Sequence, residues 1–304
     1  MQATEEIPCL PYPPVQFIIP LYPMTHWLAV PYFPMPDPDP VPVPGIIYPV
    51  WKSNLDAEFK RISNLISPGG CWFASIDTEF PGTIYASDKG RLHDPQYNYK
   101  MMKDNVNDTN IIQLGLTLAD LDRNIYTWEF NLSDFDIDHD PHQNKGSVEF
   151  LKGQGIDFRR NKEDGIPSPV FAEKLLSSGL VEHRSGVELV WVGFQCSYDF
   201  GFFTKILTGQ KLPDDIENFR TDMRYYFGPR VYDVRYIMSF FPSLYGGLEK
   251  VAETLGIARV AGKSHQAGSD SLLTYLTFIK LMDMCRNSGI EKSCRGVLYS
   301  LSRI

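Results

Sequence analysis

Two acidic residues at the end of a predicted strand are the first candidates for chemistry. In the stretch CWFASIDTEFPG, residues 71–82, Asp77 and Glu79 close an apolar strand. Because side chains alternate along a strand, both carboxylates point to the same face. Two oxygen ligands at one edge suit a divalent cation. A solvated strand end is the alternative, since the pattern D-x-E occurs about once by chance in a chain of this length.

Two further places carry candidate groups near the start of predicted helices. Asp199 follows the buried strand of WVGFQCSYDFGFF, where the helix dipole would favour an acid that merely caps the helix. His265 and Asp270 lie close together in KSHQAGSDSLLTYLTF, and Ser269 or Asp270 could cap the helix that begins there. His265 stands in a glycine-flanked loop rather than on an apolar face, so packing in the core explains it poorly.

The three places combine into one hypothesis. Carboxylates gathered at one sheet edge repel one another strongly unless cations lie among them. Two divalent metals about 3.5–4 Å apart can hold the attacking and leaving oxygens of a phosphodiester. A histidine has a pKa near neutral pH and is suited to removing a proton from water, which contributes about 10²–10⁴-fold. The residues therefore predict metal-dependent phosphodiester hydrolysis.

Alternating strands and helices would position these residues. Apolar periodicity predicts strands over residues 71–76, 111–118, 124–130 and 188–194, with a polar loop over 133–147. The helical period appears over residues 55–66, 170–178, 198–207, 214–227, 247–255 and 269–285. Strands come early and include hairpins, and helices dominate afterwards. This order predicts an α/β fold with a mixed sheet flanked by helices in one domain.

Composition limits the classes of function. The chain has 304 residues and a formal net charge of −8, which argues against an overall basic, phosphate-coating surface, so nucleic acid would need a local groove. The five cysteines are scattered and form no C-x-x-C pair, which argues against a disulfide scaffold and favours a reducing compartment.

The N-terminal fifty residues differ from the rest. Of the 23 prolines, 14 lie in residues 1–49, and no Lys or Arg precedes Lys52. Residues 7–36 carry no charge, but their prolines interrupt the stretch too often for a membrane-spanning helix. We predict an extended, polyproline-type extension over 1–50 and a catalytic domain over 51–304. A disordered tail and a segment that docks into a partner's groove both remain open.

Several stretches resemble a known family, the DEDD 3′–5′ exonucleases with histidine in the third motif. The resemblance is closer still to the poly(A)-specific Caf/Pop deadenylases of the CCR–NOT complex, and it covers about residues 52–304. The stretches that carry it are IDTEFPG (76–82), NIIQLGLTLAD (110–120), QGIDFRRNKEDGI (154–166), FAEKLLSSGLV (171–181), YDFGFFTKILTGQKLP (198–213), VYDVRYIM (231–238), YGGLEKVAETLGI (245–257) and HQAGSDSLLT (265–274).

The resemblance implies a role for each candidate residue. Asp77 would contact both metal ions, Glu79 and Asp270 would complete the first site, Asp199 would help hold the second, and His265 would be the general base. It also implies a ribonuclease-H-like mixed sheet, the DEDD exonuclease fold. The implied reaction uses two Mg²⁺ or Mn²⁺ ions to shorten poly(A) RNA from its 3′ end and to release 5′-AMP.

The resemblance also implies partners and leaves alternatives. The implied partners are a NOT scaffold subunit and a CCR-type deadenylase subunit, with no membrane, in cytoplasm and nucleus. The family's usual His-Ser before its second motif is Gln195-Cys196 here. The alternatives are an adaptor with little activity of its own and a DEDD exonuclease that acts on other ends.

Three aromatic residues near the motifs are candidates for stacking on RNA bases: Phe80, Tyr198 and Phe200. Hydrophobic packing is the competing explanation for each of them.

Overall fold

The computed structural model describes residues 45–182, 186–286 and 288–304. Its strands are β1 (Ile47–Val50), β2 (Gly70–Glu79), β3 (Gln113–Asp120), β4 (Ile125–Asn131), β5 (Val187–Gly193), β6 (Val231–Asp233), β7 (Val297–Leu298) and β8 (Ser302–Arg303). Its helices are α1 (Leu55–Ile66), α2 (Pro95–Asp108), α3 (Lys145–Gln154), α4 (Phe158–Asp164), α5 (Ser168–Ser178), α6 (Ser197–Thr208), α7 (Ile216–Phe227), α8 (Val234–Met238), α9 (Leu248–Thr254), α10 (Ala267–Cys285) and α11 (Ile290–Cys294), with a 3₁₀ turn at Lys89–Arg91.

All eight strands form one mixed sheet in the order β1-β4-β3-β2-β5-β6-β7-β8. Strands β2, β3 and β4 pair antiparallel, whereas β5, β6 and β7 continue from β2 in parallel. The sheet is therefore the helix-flanked mixed sheet that the sequence predicts, and β2 lies near its centre.

Side-chain alternation along β2 divides the core between the two faces of the sheet. Trp72, Ala74 and Ile76 pack on the face covered by α1, α2, α5, α6 and α7. Phe73 packs on the opposite face, against Tyr275 and residues of α8 to α11. A strand that is buried on both faces gives a rigid base for residues at its carboxyl end.

Several predicted elements differ from the structure at their ends. Helix α1 matches its predicted bounds, but β2 runs to Glu79, so Asp77 and Glu79 lie within the strand. The predicted helix start at residue 269 is wrong, because α10 begins at Ala267 and neither Ser269 nor Asp270 is its cap. The predicted loop 133–147 is also too long, since α3 begins at Lys145 after the cap Asn144.

The end of the predicted N-terminal extension takes part in the sheet. Strand β1 pairs in parallel with β4, and Pro49 is tolerated there because β1 is an edge strand. Residues 1–44 of the extension predicted over 1–50 lie outside the described residues, and with them the polyproline conformation and the choice between a disordered tail and a docking segment. Among the helices of the described residues, none is long and apolar enough to cross a membrane. Among the described cysteines, Cys196, Cys285 and Cys294 are free thiols.

Candidate active site

Strand register places the first two carboxylates beside a close helix approach. Asp77 lies opposite Gly115 of β3, which in turn lies opposite Glu129 of β4, so these three positions form one row on one face. A side-chain Cβ at Gly115 would lie 1.9 Å from the carbonyl oxygen of Ala267. Glycine at this position therefore allows the start of α10 to lie directly on the sheet, next to Asp77.

Helix α10 carries its own glycine for the same reason. A Cβ at Gly268 would lie 2.9 Å from the Cβ of Glu129, and the Gly268 N–H donates to Glu129 Oε2 at 3.2 Å. This packing brings Asp270, in the first turn of α10, over the sheet edge that holds Glu79. Ligand atoms of Glu79, His265 and Asp270 all lie within 4.8 Å of one another.

The loop before α10 holds His265 in an uncommon backbone conformation. His265 has φ = 60°, a left-handed value that costs energy in a non-glycine residue. Its backbone N–H donates to Asp270 Oδ2 at 3.0 Å, while Arg259 Nη1 lies 2.7 Å from Asp270 Oδ1. Arg259 also donates to the Ser269 hydroxyl at 2.6 Å and to Glu249 Oε2 at 2.5 Å. Arg259 thus connects α9 to the metal-ligand candidate on α10.

Asp199 reaches the same edge from α6. Thr78, between Asp77 and Glu79, donates a hydrogen bond from its hydroxyl to Asp199 Oδ1 at 2.6 Å. The N-cap of α6 is Cys196, so Asp199 lies inside the helix and its carboxylate is directed at β2 rather than serving as a cap. The structure therefore brings all five predicted site residues to one edge of the sheet, where Thr78 joins Asp199 to β2.

The turn that contains Gln195 and Cys196 is held through its backbone. The buried Asp233 carboxylate accepts from the N–H groups of Gln195 at 2.8 Å and Cys196 at 3.3 Å. A Cβ at Gly193 would lie 2.3 Å from the Cys196 Cβ, which shows how tightly the fully buried Cys196 is packed. Every residue except proline supplies such an amide, so these two hydrogen bonds do not depend on the departure at positions 195 and 196.

Burial and crowding raise the pKa of each carboxyl group. Burial raises the pKa of Asp77 and of Glu79 well above their ordinary values, and neighbouring negative charges raise both further. Burial raises the pKa of Asp199 to about 7, although the hydrogen bond from Thr78 opposes the change. Burial also raises the pKa of Asp270, and Arg259 opposes it. Ionised carboxylates are therefore unfavourable here without added positive charge.

The donor set fits divalent metal ions. Among the residues that the structure describes, Arg259 is the one basic side chain within ion-pair distance of Asp77, Glu79, Asp199 or Asp270. A single guanidinium cannot neutralise four carboxylates, and of these four it contacts Asp270 alone. Carboxylate oxygens gathered at this spacing are the ligands that Mg²⁺ and Mn²⁺ prefer.

The sequence belongs to a recognised ribonuclease family. The model described as "CAF1 family ribonuclease" matches residues 50–169 and 173–278. A protein named probable CCR4-associated factor 1 homolog 7, from Arabidopsis thaliana, is 42% identical over 261 residues, which are 83% of this chain and 92% of that protein. This chain is a member of the CAF1 ribonuclease family.

Other CAF1-family proteins extend the comparison to known structures. The poly(A) ribonuclease pop2 of Schizosaccharomyces pombe is 36% identical over 256 residues, covering 83% of this chain and 74% of its own length. The solved structure of S. pombe Pop2p in a Mg²⁺- and Mn²⁺-bound form aligns with TM-score 0.73 and 34% identity, over 84% of this chain and 99% of that chain. A yeast CAF1 structure, co-crystallised with the NOT1 MIF4G domain, aligns with TM-score 0.65 and 30% identity, over 87% and 100%. The ribonuclease-H-like expectation for the fold is confirmed.

Three contributors to this candidate site were missed by sequence reasoning. Glu129 is a charged residue inside the otherwise apolar strand YTWEFN, and this break in the apolar pattern could have identified it. Thr78 lies between two residues that were recognised, but its bond to Asp199 joins positions 121 residues apart. Arg259 precedes His265 in a loop without regular structure, so no pattern in the sequence indicated its contact with Asp270.

Proposed function

We propose that this chain is a metal-dependent 3′–5′ exoribonuclease that shortens poly(A) tails and releases 5′-AMP. The observation that carries the proposal is the gathering of Asp77, Glu79, Asp199 and Asp270 at one sheet edge with a single basic neighbour. The poly(A) substrate rests on the similarity to the S. pombe poly(A) ribonuclease.

Two divalent cations, Mg²⁺ or Mn²⁺, are the cofactors in this proposal. Asp77 would contribute to both ions, Glu79 and Asp270 would hold the first, and Asp199 would help hold the second. When bound, the ions would stabilise the negative charge that builds up on the scissile phosphate and would favour hydroxide near neutral pH. Arg259 would orient Asp270, because its guanidinium contacts one carboxylate oxygen while the His265 N–H binds the other.

His265 would act as the general base. Its side chain is exposed, in contrast to the buried Glu79 and Asp270, so its imidazole can exchange a proton with solvent. It lines the same cavity as Glu79, which supports a position beside the substrate. The imidazole would accept the proton of the water that attacks the phosphate and then release that proton to solvent.

Binding to a NOT scaffold subunit is the second part of the proposal. The yeast CAF1 that was co-crystallised with a NOT1 MIF4G domain aligns over 87% of this chain, which supports a similar contact here. A CCR-type deadenylase subunit is the other partner in this proposal, and the name of the Arabidopsis relative, CCR4-associated factor 1 homolog 7, supports it. In this proposal, one chain both catalyses the reaction and binds the scaffold.

The test uses 5′-labelled RNA ending in about twenty adenosines, long enough to exceed a single-strand binding site. A matched RNA with a non-adenosine tail, an EDTA reaction and the Asp77→Ala variant complete the set, with the exposed Asp122→Asn as control. Metal-dependent shortening that stops at the end of the adenosine tract and is absent in Asp77→Ala is expected. Equal shortening of both RNAs would leave a DEDD exonuclease without poly(A) preference. No shortening by folded, metal-loaded protein would favour the adaptor.

A further inference from the structure

The aromatic residues nominated by sequence for base stacking are already engaged in packing. Phe200 is fully buried in the core. Phe80 and Tyr198 stack on each other with ring centroids 5.3 Å apart and planes 4° from parallel, and Phe202 lies 5.0 Å from the Phe80 ring. The Tyr198 hydroxyl also accepts a hydrogen bond from Asn105 at 3.3 Å. These contacts assign Phe200 and Tyr198 to the support of the strand end, whereas Phe80 both stacks on Tyr198 and forms part of the wall of the cavity beside Glu79.

A different aromatic residue faces the open side of the site. Phe150 on α3 is 47% exposed and contacts His265 edge to face, with ring centroids 4.8 Å apart. Phe150, His265 and Glu79 line one cavity of about 480 Å³. That volume lies within the range of about 300–1,000 Å³ that is usual for sites of small organic ligands. An exposed phenylalanine at such a position leaves apolar surface in water unless a ligand covers it.

Helix α3 is anchored at both ends to the elements that carry the candidate catalytic residues. The backbone N–H of Asn144, at its start, donates to the Pro81 carbonyl in the turn after β2 at 2.8 Å. The Gln266 side chain, next to His265, donates to the Gln154 carbonyl at the end of α3 at 3.2 Å. Phe150 therefore has a defined place relative to both Glu79 and His265.

We propose that Phe150 is a stacking platform for the base of the 3′-terminal nucleotide. The inference deepens the proposed function and rests on it for the nature of the substrate. The described residues that line the cavity include no Lys or Arg, so away from Glu79 and His265 the wall offers aromatic and neutral polar contacts rather than a positive charge for phosphate. Stacking supplies affinity without choosing a base, because every base has a π-face. Phe150 thus provides affinity for the terminal nucleotide and leaves selection of adenine to other contacts.

Variants of Phe150 separate stacking from simple packing against His265. Stacking contributes about 1–3 kcal/mol per base, equivalent to roughly 5- to 150-fold in kcat/KM. We expect Phe150→Leu, which keeps apolar volume but has no ring, to raise KM by that factor with little change in kcat. Phe150→Tyr should keep the wild-type KM. Phe240→Leu is the control, since Phe240 is similarly exposed at 41% and contacts Tyr236 instead.

A direct test uses the fluorescent base 2-aminopurine, placed at the 3′ terminus of an oligoadenylate. Stacking quenches its fluorescence, so stopped-flow mixing with excess enzyme and Mg²⁺ should show a rapid decrease before cleavage. The decrease is expected in wild type, Phe150→Tyr and Phe240→Leu, and it should be lost in Phe150→Leu.

Two kinds of result, one from each assay, would overturn the assignment of Phe150. The first is a wild-type decrease that persists in Phe150→Leu, or no decrease in wild type. The second is a loss in Phe150→Leu that falls on kcat alone, because that would mean that Phe150 only positions His265. The fluorescence measurement does not require poly(A) preference or turnover. A wild type that quenches but never cleaves would therefore contradict the proposed nuclease and still support the stacking platform.

Discussion

Neutralising one site carboxylate should stabilise the metal-free protein. Asp199 is buried, 8% exposed, and its pKa is raised to about 7 from 3.8. At about 1.4 kcal/mol for each pKa unit, holding this group ionised in the folded state costs up to about 4 kcal/mol. Asp199→Asn is isosteric and its amide oxygen can still accept the hydrogen bond from Thr78. The variant removes the cost and retains that contact.

The sign of the pH dependence follows from the direction of the pKa change. An acid whose pKa is higher in the folded state than in the unfolded state does not destabilise the folded protein below the unfolded pKa, because it is protonated in both states. The protein then loses stability as pH rises through the folded pKa. For Asp199 this window runs from about pH 4 to about pH 7. Asp199→Asn and wild type should therefore unfold alike near the acid end and diverge progressively toward neutral pH.

Thermal unfolding in EDTA is the assay. In a domain of this size, 1 kcal/mol corresponds to about 2–4 °C, so Asp199→Asn should melt up to roughly 8–16 °C above wild type at about pH 8. Mn²⁺ at a hundred times its Kd should stabilise the wild-type protein by about 2.7 kcal/mol and so raise its melting temperature. The melting temperature of Asp199→Asn should rise less.

The control for Asp199→Asn is Asp122→Asn, which makes the same charge change at an exposed position. It tests whether net charge alone, rather than burial, explains the effect. An Asp199→Asn protein that is no more stable than wild type at alkaline pH would refute the reasoning. Equal stabilisation by Asp122→Asn would refute it as well.

Three further predictions concern the same edge of the sheet. Asp77→Ala should fold yet lose nearly all RNA shortening and its Mn²⁺-induced rise in melting temperature; substantial turnover would remove Asp77 from the metal set. His265→Ala should keep the Mn²⁺-induced rise while turnover falls by about 10²–10⁴-fold, and an unchanged rate would exclude it as the base. Gly115→Ala should destabilise the protein by about 3 kcal/mol or more, because its Cβ would lie 1.9 Å from the Ala267 carbonyl oxygen. Gly153→Ala, a helical position with open space around the Cβ, should instead stabilise by about 0.5–1 kcal/mol in the same denaturation series, and similar losses in both would contradict the packing argument.

Local patterns were sufficient for part of this protein. The helical period over residues 55–66 predicted α1 with its observed bounds, because one apolar face of that helix packs on the sheet. Alternation along β2 predicted that Asp77 and Glu79 share a face, since period two is a property of any strand. No helix was predicted over α3, because it begins within a run of polar residues.

The approach of α10 to the sheet depended on the tertiary structure. It depends on the absence of a side chain at Gly115. In the sequence this glycine interrupts an apolar strand, but nothing nearby indicates which segment packs against it. Only the fold shows that the partner is the carbonyl of Ala267. The place of Arg259 beside Asp270 likewise follows from an irregular loop whose path is set by contacts with α9.

The sequence by itself determined which residues could bind metal, which of them share a strand, and the order of the elements that carry them. It did so because side-chain chemistry and periodicity are local. The tertiary structure decided that Asp199 is buried against Thr78, 121 residues away, and that Phe150 rather than Phe200 faces the cavity. Burial, pKa and exposure depend on what distant segments leave uncovered, and no single segment of the chain contains that information.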